Sequence, residues 1–119
     1  MIRAKKSLGQ NFLQNKEAIT KMVDALDITD GDLIIEIGPG LGDVTRQILN
    51  RRKEYSFEYK AVELDGRFIH NLKSEFEPKG NVEVINDNFL DWLPKFNPNK
   101  PYKIIGSFPY YITSPIVHT

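Results

Sequence analysis

From Asn15 onward the apolar residues Ala18, Ile19, Met22, Val23 and Leu26 recur at helical spacing, behind an asparagine suited to cap a helix. Thr29-Asp30-Gly31-Asp32 breaks that stripe with turn-forming residues. Four short apolar runs follow, each a strand candidate: LIIEI (Leu33–Ile37), YKAVEL (Tyr59–Leu64), VEVI (Val82–Ile85) and YKII (Tyr102–Ile105). Helical patterns alternate with them. Leu41, Val44 and Ile48 share one face, and so do Phe68, Ile69, Leu72 and Phe76, with Pro78 and Gly80 ending the pattern. A shorter piece, NFLDWL, predicts one or two helical turns before Pro94. Alternating strands and helices predict an α/β fold, with parallel strands in the order 3-2-1-4 and right-handed crossovers. An α+β domain of antiparallel strands is disfavoured, because the connections are too long for hairpins. If the fourth strand is the last, its outer edge beside Ile104 and Ile105 is unpaired. Such an edge invites another chain, which predicts self-association.

The strand ends carry the chemistry. In EIGPGLGDVT, Gly38, Gly40 and Gly42 sit where the first strand of a parallel sheet turns into its helix. Glycines let the backbone bend tightly and approach a ligand, and the helix beyond offers free N–H groups. Glu63 follows about 20 residues later at the end of the second strand, the separation at which a carboxylate reaches the ribose hydroxyls of a nucleoside cofactor. Asp87 ends the third strand at the same edge, placed for an adenine amino group; Asp65 reads as a helix cap. The turn is spaced GPGLG rather than GxGxxG and holds no basic residue. Glu36, two positions before its first glycine, suits a cationic sulfonium better than a pyrophosphate. The choice therefore tilts toward S-adenosylmethionine and away from a nicotinamide dinucleotide.

After the fourth strand comes GSFPYYITSP, with two prolines and adjacent tyrosines. Where strand order reverses, the ends of strands one and four both border the cofactor crevice. Ser107, Phe108, Pro109 and Tyr110 thus stand near the reacting group. Tyr110 can stack on a planar base, while the Ser107 hydroxyl and the Phe108 carbonyl accept hydrogen bonds from an exocyclic amine. Tyr111 and Ile112 read as core.

Composition narrows the classes. The 119 residues suffice for one domain, and 16 basic residues balance 16 acidic ones, so any nucleic-acid contact must come from a local patch. Arg3, Lys5 and Lys6 form such a cluster near the crevice entrance. The absence of cysteine excludes disulfides and thiolate metal sites, and His70 and His118 lie too far apart in sequence to suggest a metal centre. No run approaches the roughly 18 apolar residues of a membrane span, and no signal-peptide core opens the chain. The expectation is a soluble intracellular protein.

GQNFL (Gly9–Leu13), EIGPGLGDVT (Glu36–Thr45), VELD (Val62–Asp65), INDNF (Ile85–Phe89) and GSFPYYITSPI (Gly106–Ile116) occur here in one order. With them the chain resembles the small-subunit rRNA adenine N6,N6-dimethyltransferases, relatives of the macrolide-resistance enzymes that methylate large-subunit rRNA. The resemblance implies a Rossmann-like S-adenosylmethionine-dependent methyltransferase fold in a cytoplasmic, metal-free enzyme. It implies that Gln10, Asn11 and Leu13 cover the cofactor and that Gly38 and Gly40 line its methionine end. Glu63 would hold the ribose, Asp87 and Asn88 the adenine, and Ser107 through Tyr110 a flipped target adenosine. Arg3, Lys5 and Lys6 read equally well as a solvated tail or as contacts to rRNA phosphates.

Two departures stand out. Ser107 occupies the position where this family has asparagine, although aspartate, asparagine or serine fills it across amino-methyltransferases. Family members are also more than twice as long, so residues 1–119 look like the N-terminal part of a catalytic domain, without the rest of its sheet and the C-terminal helical domain. Competing readings are a large-subunit rRNA methyltransferase of the resistance type and a non-catalytic RNA-binding assembly factor.

Overall fold

A computed structural model describes residues 15–108, 111–112 and 116–118, with side chains from 15 to 106. Asn15 caps helix α1 (Lys16–Asp24), its side-chain oxygen accepting the Ala18 N–H at 3.1 Å. Ile19, Met22 and Val23 turn inward from α1, and Leu26 follows them just past its end. The predicted turn closes on Asp32, whose carboxylate accepts the Thr29 N–H at 2.9 Å and the Thr29 hydroxyl at 3.1 Å. Strand β1 (Asp32–Ile37) starts there.

The chain then runs through α2 (Asp43–Asn50), β2 (Phe57–Glu63), α3 (Ile69–Phe76), β3 (Val82–Asn86), the single turn α4 (Phe89–Trp92) and β4 (Tyr102–Phe108). Strands β3, β2, β1 and β4 lie side by side in that order, all parallel, as the alternation predicts. Successive strand residues point to opposite faces. One face sends Ile34, Tyr59, Ala61, Val84 and Ile105 into a core completed by α1, α2 and α3. The other gathers Ile37, Ile85, Phe89, Trp92 and Phe96 around Ile35, Val62 and Ile104. Trp92 stacks on Phe96 there, ring centroids 4.5 Å apart. A strand buried on both faces reads as an unbroken apolar run, which is why LIIEI gave so clear a signal.

Three expectations need correction. The outer edge of β4 is not unpaired. Strand β6 (Ile116–His118) runs antiparallel to it with Ile116 opposite Ile104, and β5 (Tyr111–Ile112) folds back with Tyr111 opposite Phe108. Strands of two and three residues are too short for alternation to reveal. With that edge covered, the reason to expect self-association through it is gone. Leu41 does not share the helical face of Val44 and Ile48: Gly42, at φ +90°, is the N-cap, so α2 begins only at Asp43 and Leu41 stays 74% exposed in the turn. Strand β2 ends one residue earlier than predicted, leaving Leu64 66% exposed. Among the described residues no helix is long and apolar enough to cross a membrane.

Candidate active site

The parallel strands bring their C-terminal ends to one edge, and the register says how closely. Ile37 at the end of β1 lies opposite Val62 of β2 on one side and Gly106 of β4 on the other; Glu63 lies opposite Asn86 of β3. The glycine turn therefore leaves β1 between the end of β2 and the end of β4. Ser107 follows Gly106 directly, so its backbone stands beside the turn, as the strand order predicted. Phe108 closes β4 opposite Tyr111. Pro109 and Tyr110 lie outside the described residues, as do Gln10, Asn11, Leu13, Arg3, Lys5 and Lys6.

Within the turn Gly38, Gly40 and Gly42 all have positive φ, at 69°, 54° and 90°. At Gly42 space is limiting as well as conformation, since a Cβ there would sit 2.9 Å from Phe76 Cε2. Backbone bonds close the turn: the Gly38 N–H reaches the Val62 carbonyl at 2.9 Å, and the Gly42 N–H reaches that of Pro39 at 2.8 Å.

Glu63 crosses from β2 to this turn. Its Oε1 accepts the Gly40 N–H at 2.8 Å and its Oε2 accepts the Asp65 N–H at 2.9 Å. The residue is only 7% exposed. A carboxylate has about four lone-pair sites, so these two amides orient the group and leave acceptor capacity for ligand hydroxyls. The Asn86 side chain steadies the strand end from β3, donating to the carbonyls of Glu63 at 2.9 Å and Leu64 at 3.2 Å.

Asp65 is the cap it was expected to be. It accepts the Arg67 N–H at 3.0 Å and pairs with the Arg67 guanidinium, whose hydrogen bonds lower its pKa to about 2. Asp87 Oδ1 accepts the Asn88 N–H at 2.7 Å. The Asn88 side chain caps α4 by accepting the Leu90 N–H at 2.8 Å. That bond accounts for Asn88 structurally.

Glu36 requires a correction. The expectation of a carboxylate near a cationic sulfonium is not met: the side chain is buried on the helical side of the sheet, 3% exposed. One of its oxygens accepts the Thr45 hydroxyl at 2.5 Å and also the Tyr59 hydroxyl. Strand alternation explains the direction, because Glu36 shares its face with Ile34.

Sequence reasoning also missed the apolar flank of this edge. Leu64, directly after Glu63, and Leu90, in the first turn of α4, are 66% and 79% exposed. Exposed leucines beside two strand-end carboxylates can form apolar walls for a planar ring. The available signal was a leucine directly after Glu63 and another three residues after Asp87, the first hidden because YKAVEL extends the strand pattern through Leu64. Among the described residues no group of three or more histidines, cysteines or acids is gathered to hold a metal ion.

Comparison with solved structures shows the fold. The 23S rRNA methyltransferase ErmE superposes with a TM-score of 0.63 at 24% identity, over 77% of this chain and 35% of that one. A dimethyladenosine transferase from Plasmodium falciparum gives 0.55 at 19% identity, over 77% and 42%. Coclaurine N-methyltransferase, solved with N-methylheliamine and SAH, gives 0.55 at 22%, over 76% and 27%. The fold is the Rossmann-like fold of S-adenosylmethionine-dependent methyltransferases.

Within that class, residues 1–119 match the ribosomal RNA adenine dimethylase family, and the chain belongs to it. Curated relatives agree. The ribosomal RNA small subunit methyltransferase A of Alkaliphilus oremlandii is 38% identical over 117 residues, covering 94% of this chain and 39% of that protein. That of Francisella tularensis subsp. novicida is 40% identical over 118 residues, covering 97% and 44%. The chain thus spans less than half the length of these relatives.

Proposed function

We propose that residues 1–119 carry the cofactor-binding part of an S-adenosylmethionine-dependent rRNA adenine N6-dimethyltransferase, which modifies adenosines of small-subunit rRNA during ribosome biogenesis in the cytoplasm. The observation that carries this reading is the bond from Gly40 N–H to Glu63. It sets an oriented carboxylate against a left-handed glycine turn, one strand away from Ser107. The residues fit the cofactor: Glu63 keeps free lone pairs for ribose hydroxyls, and Asp87 stands at the next strand end for an adenine amino group. Leu64 and Leu90 supply apolar walls, and glycines at positions 38 and 40 let the backbone approach the methionine end. Gln10, Asn11 and Leu13 would close over it, with Asn88 supporting the adenine end through α4.

When bound, S-adenosylmethionine supplies a methyl group made electrophilic by its sulfonium. The chain's own work is to hold the acceptor. An adenine amino nitrogen shares its lone pair with the ring, and the Ser107 hydroxyl and Phe108 carbonyl would accept its hydrogens and favour the pyramidal form that can attack. Tyr110 would stack on the extruded base, with Pro109 fixing the bend. Positive charge develops on that nitrogen, so acceptors fixed in advance stabilise it without a strong general base, and the proton leaves to water. Arg3, Lys5 and Lys6 would meet rRNA phosphates of a small-subunit precursor. Residues 1–119 would correspond to the N-terminal part of the catalytic domain.

Ser107 favours one second reading, an RNA-binding assembly factor that keeps the methyltransferase shell, because serine reaches less far than the family's asparagine. Transfer of labelled methyl to small-subunit precursor particles tests the choice. Activity that falls at least about tenfold in Ser107→Ala, the scale of one hydrogen bond to a developing charge, supports the enzyme. No transfer by the parent protein, with cofactor binding intact, supports the shell.

A further inference from the structure

A buried carboxylate that the proposed chemistry does not use lies directly beneath the glycine turn. Glu36 is the penultimate residue of β1, Thr45 lies in the first turn of α2, and Tyr59 lies in β2. Their relative exposures are 3%, 1% and 0%. Both hydroxyls donate to the same Glu36 oxygen. Three elements are tied at one atom, and the segment between Glu36 and Thr45 is the turn itself.

From α2 the Glu36 carboxylate meets Thr45, from β2 it meets Tyr59 and the like charge of Glu63, and from β4 the opposing residue is the buried Ile105. Among the described residues no cation pairs with Glu36. Burying an unpaired carboxylate costs several kcal/mol as a rule, and an apolar side chain here would fold more cheaply. What the carboxylate adds is direction. A turn with three left-handed glycines has wide conformational freedom to lose. It is held at its base by Glu36 and Thr45, and at its crown by Glu63 and Gly40.

We propose that Glu36, Thr45 and Tyr59 form a positioning staple that fixes the glycine turn from below, so that the Gly40 N–H meets Glu63 and the crevice is shaped before the cofactor arrives. The identity of that ligand rests on the reading under Proposed function; the staple itself rests on the hydrogen bonds. None of the three touches the reacting atoms.

Thr45→Val and Tyr59→Phe each remove one hydroxyl with almost no change of shape, and Thr45→Ser restores it. Calorimetric titration with S-adenosylhomocysteine is paired with amide hydrogen exchange read residue by residue. Each hydroxyl-free variant weakens binding by about tenfold, the scale of one buried hydrogen bond, and Thr45→Ser recovers most of it. Gly40 and Gly42 exchange faster in the variants, while the amides of β1 and β2 keep their protection. Variants that fold and bind like the parent protein overturn the proposal, and so does exchange that rises equally across the whole sheet. If the parent protein binds no S-adenosylhomocysteine, the functional reading fails, and the selective exchange at Gly40 and Gly42 decides the staple alone.

Discussion

Replacing Glu36 with glutamine removes a buried charge while keeping the side chain's shape and its acceptor oxygen. In the folded protein burial raises the Glu36 pKa, the hydroxyls of Thr45 and Tyr59 oppose that rise, and Glu63 adds to it; the outcome is a pKa of about 7 against an ordinary 4.5. The folded state therefore holds this proton more tightly than the unfolded chain. The resulting stabilisation is complete below pH 4.5 and disappears as pH rises through 7. At 1.36 kcal/mol per pKa unit the difference is worth about 3 kcal/mol. For a domain of this size that is a melting shift on the order of 10 °C. Urea and thermal unfolding at pH 5.5, 7 and 8.5, run in parallel on the parent protein and Glu36→Gln, read the part that falls in this range, about 2 kcal/mol. The variant should match the parent or fall slightly below it at pH 5.5, and exceed it at pH 8.5. Comparing the two cancels every other titrating group. Stability curves that stay parallel across this range would refute the reasoning, because Glu36 would then titrate alike in both states.

Two further substitutions probe the turn. Gly42→Ala places a Cβ against Phe76 at a φ of +90°, and should cost about 1–3 kcal/mol in urea unfolding, as strained and overpacked sites do. Glu63→Gln leaves either the Gly40 or the Asp65 amide facing an NH2 group, and S-adenosylhomocysteine affinity by calorimetry should fall roughly 10-fold to 100-fold, the scale of a hydrogen-bonded buried charge. An unchanged affinity would remove Glu63 from the site.

The central strand was legible because it is buried on both faces, so Leu33 through Ile35 announces itself as an apolar run between helical stripes; the edge strand β3 reads instead as Val82, Val84 and Ile85 around an exposed Glu83. The capping roles of Asn15 and Asp65 were legible for a local reason: each acts on an amide two or three residues away. What escaped depends on contacts remote in sequence. Nothing around Glu36 reveals that Tyr59 will meet it from the next strand, so a carboxylate beside a glycine turn looked like a ligand group. Leu41 and Leu64 fit the apolar pattern of their neighbours, yet Gly42 delays the helix and β2 ends at Glu63, which leaves both leucines in solvent. Strands β5 and β6 depend on antiparallel pairing with β4. That is a tertiary event with no periodic trace.

Calorimetric titration of the protein with S-adenosylmethionine, S-adenosylhomocysteine and NAD tests most directly whether the glycine turn and Glu63 form a methyl-donor site. Saturable binding of both sulfur compounds at one site, with no heat from NAD, is the expected result. Binding of NAD in preference to either, or of none of the three by a folded protein, would contradict it.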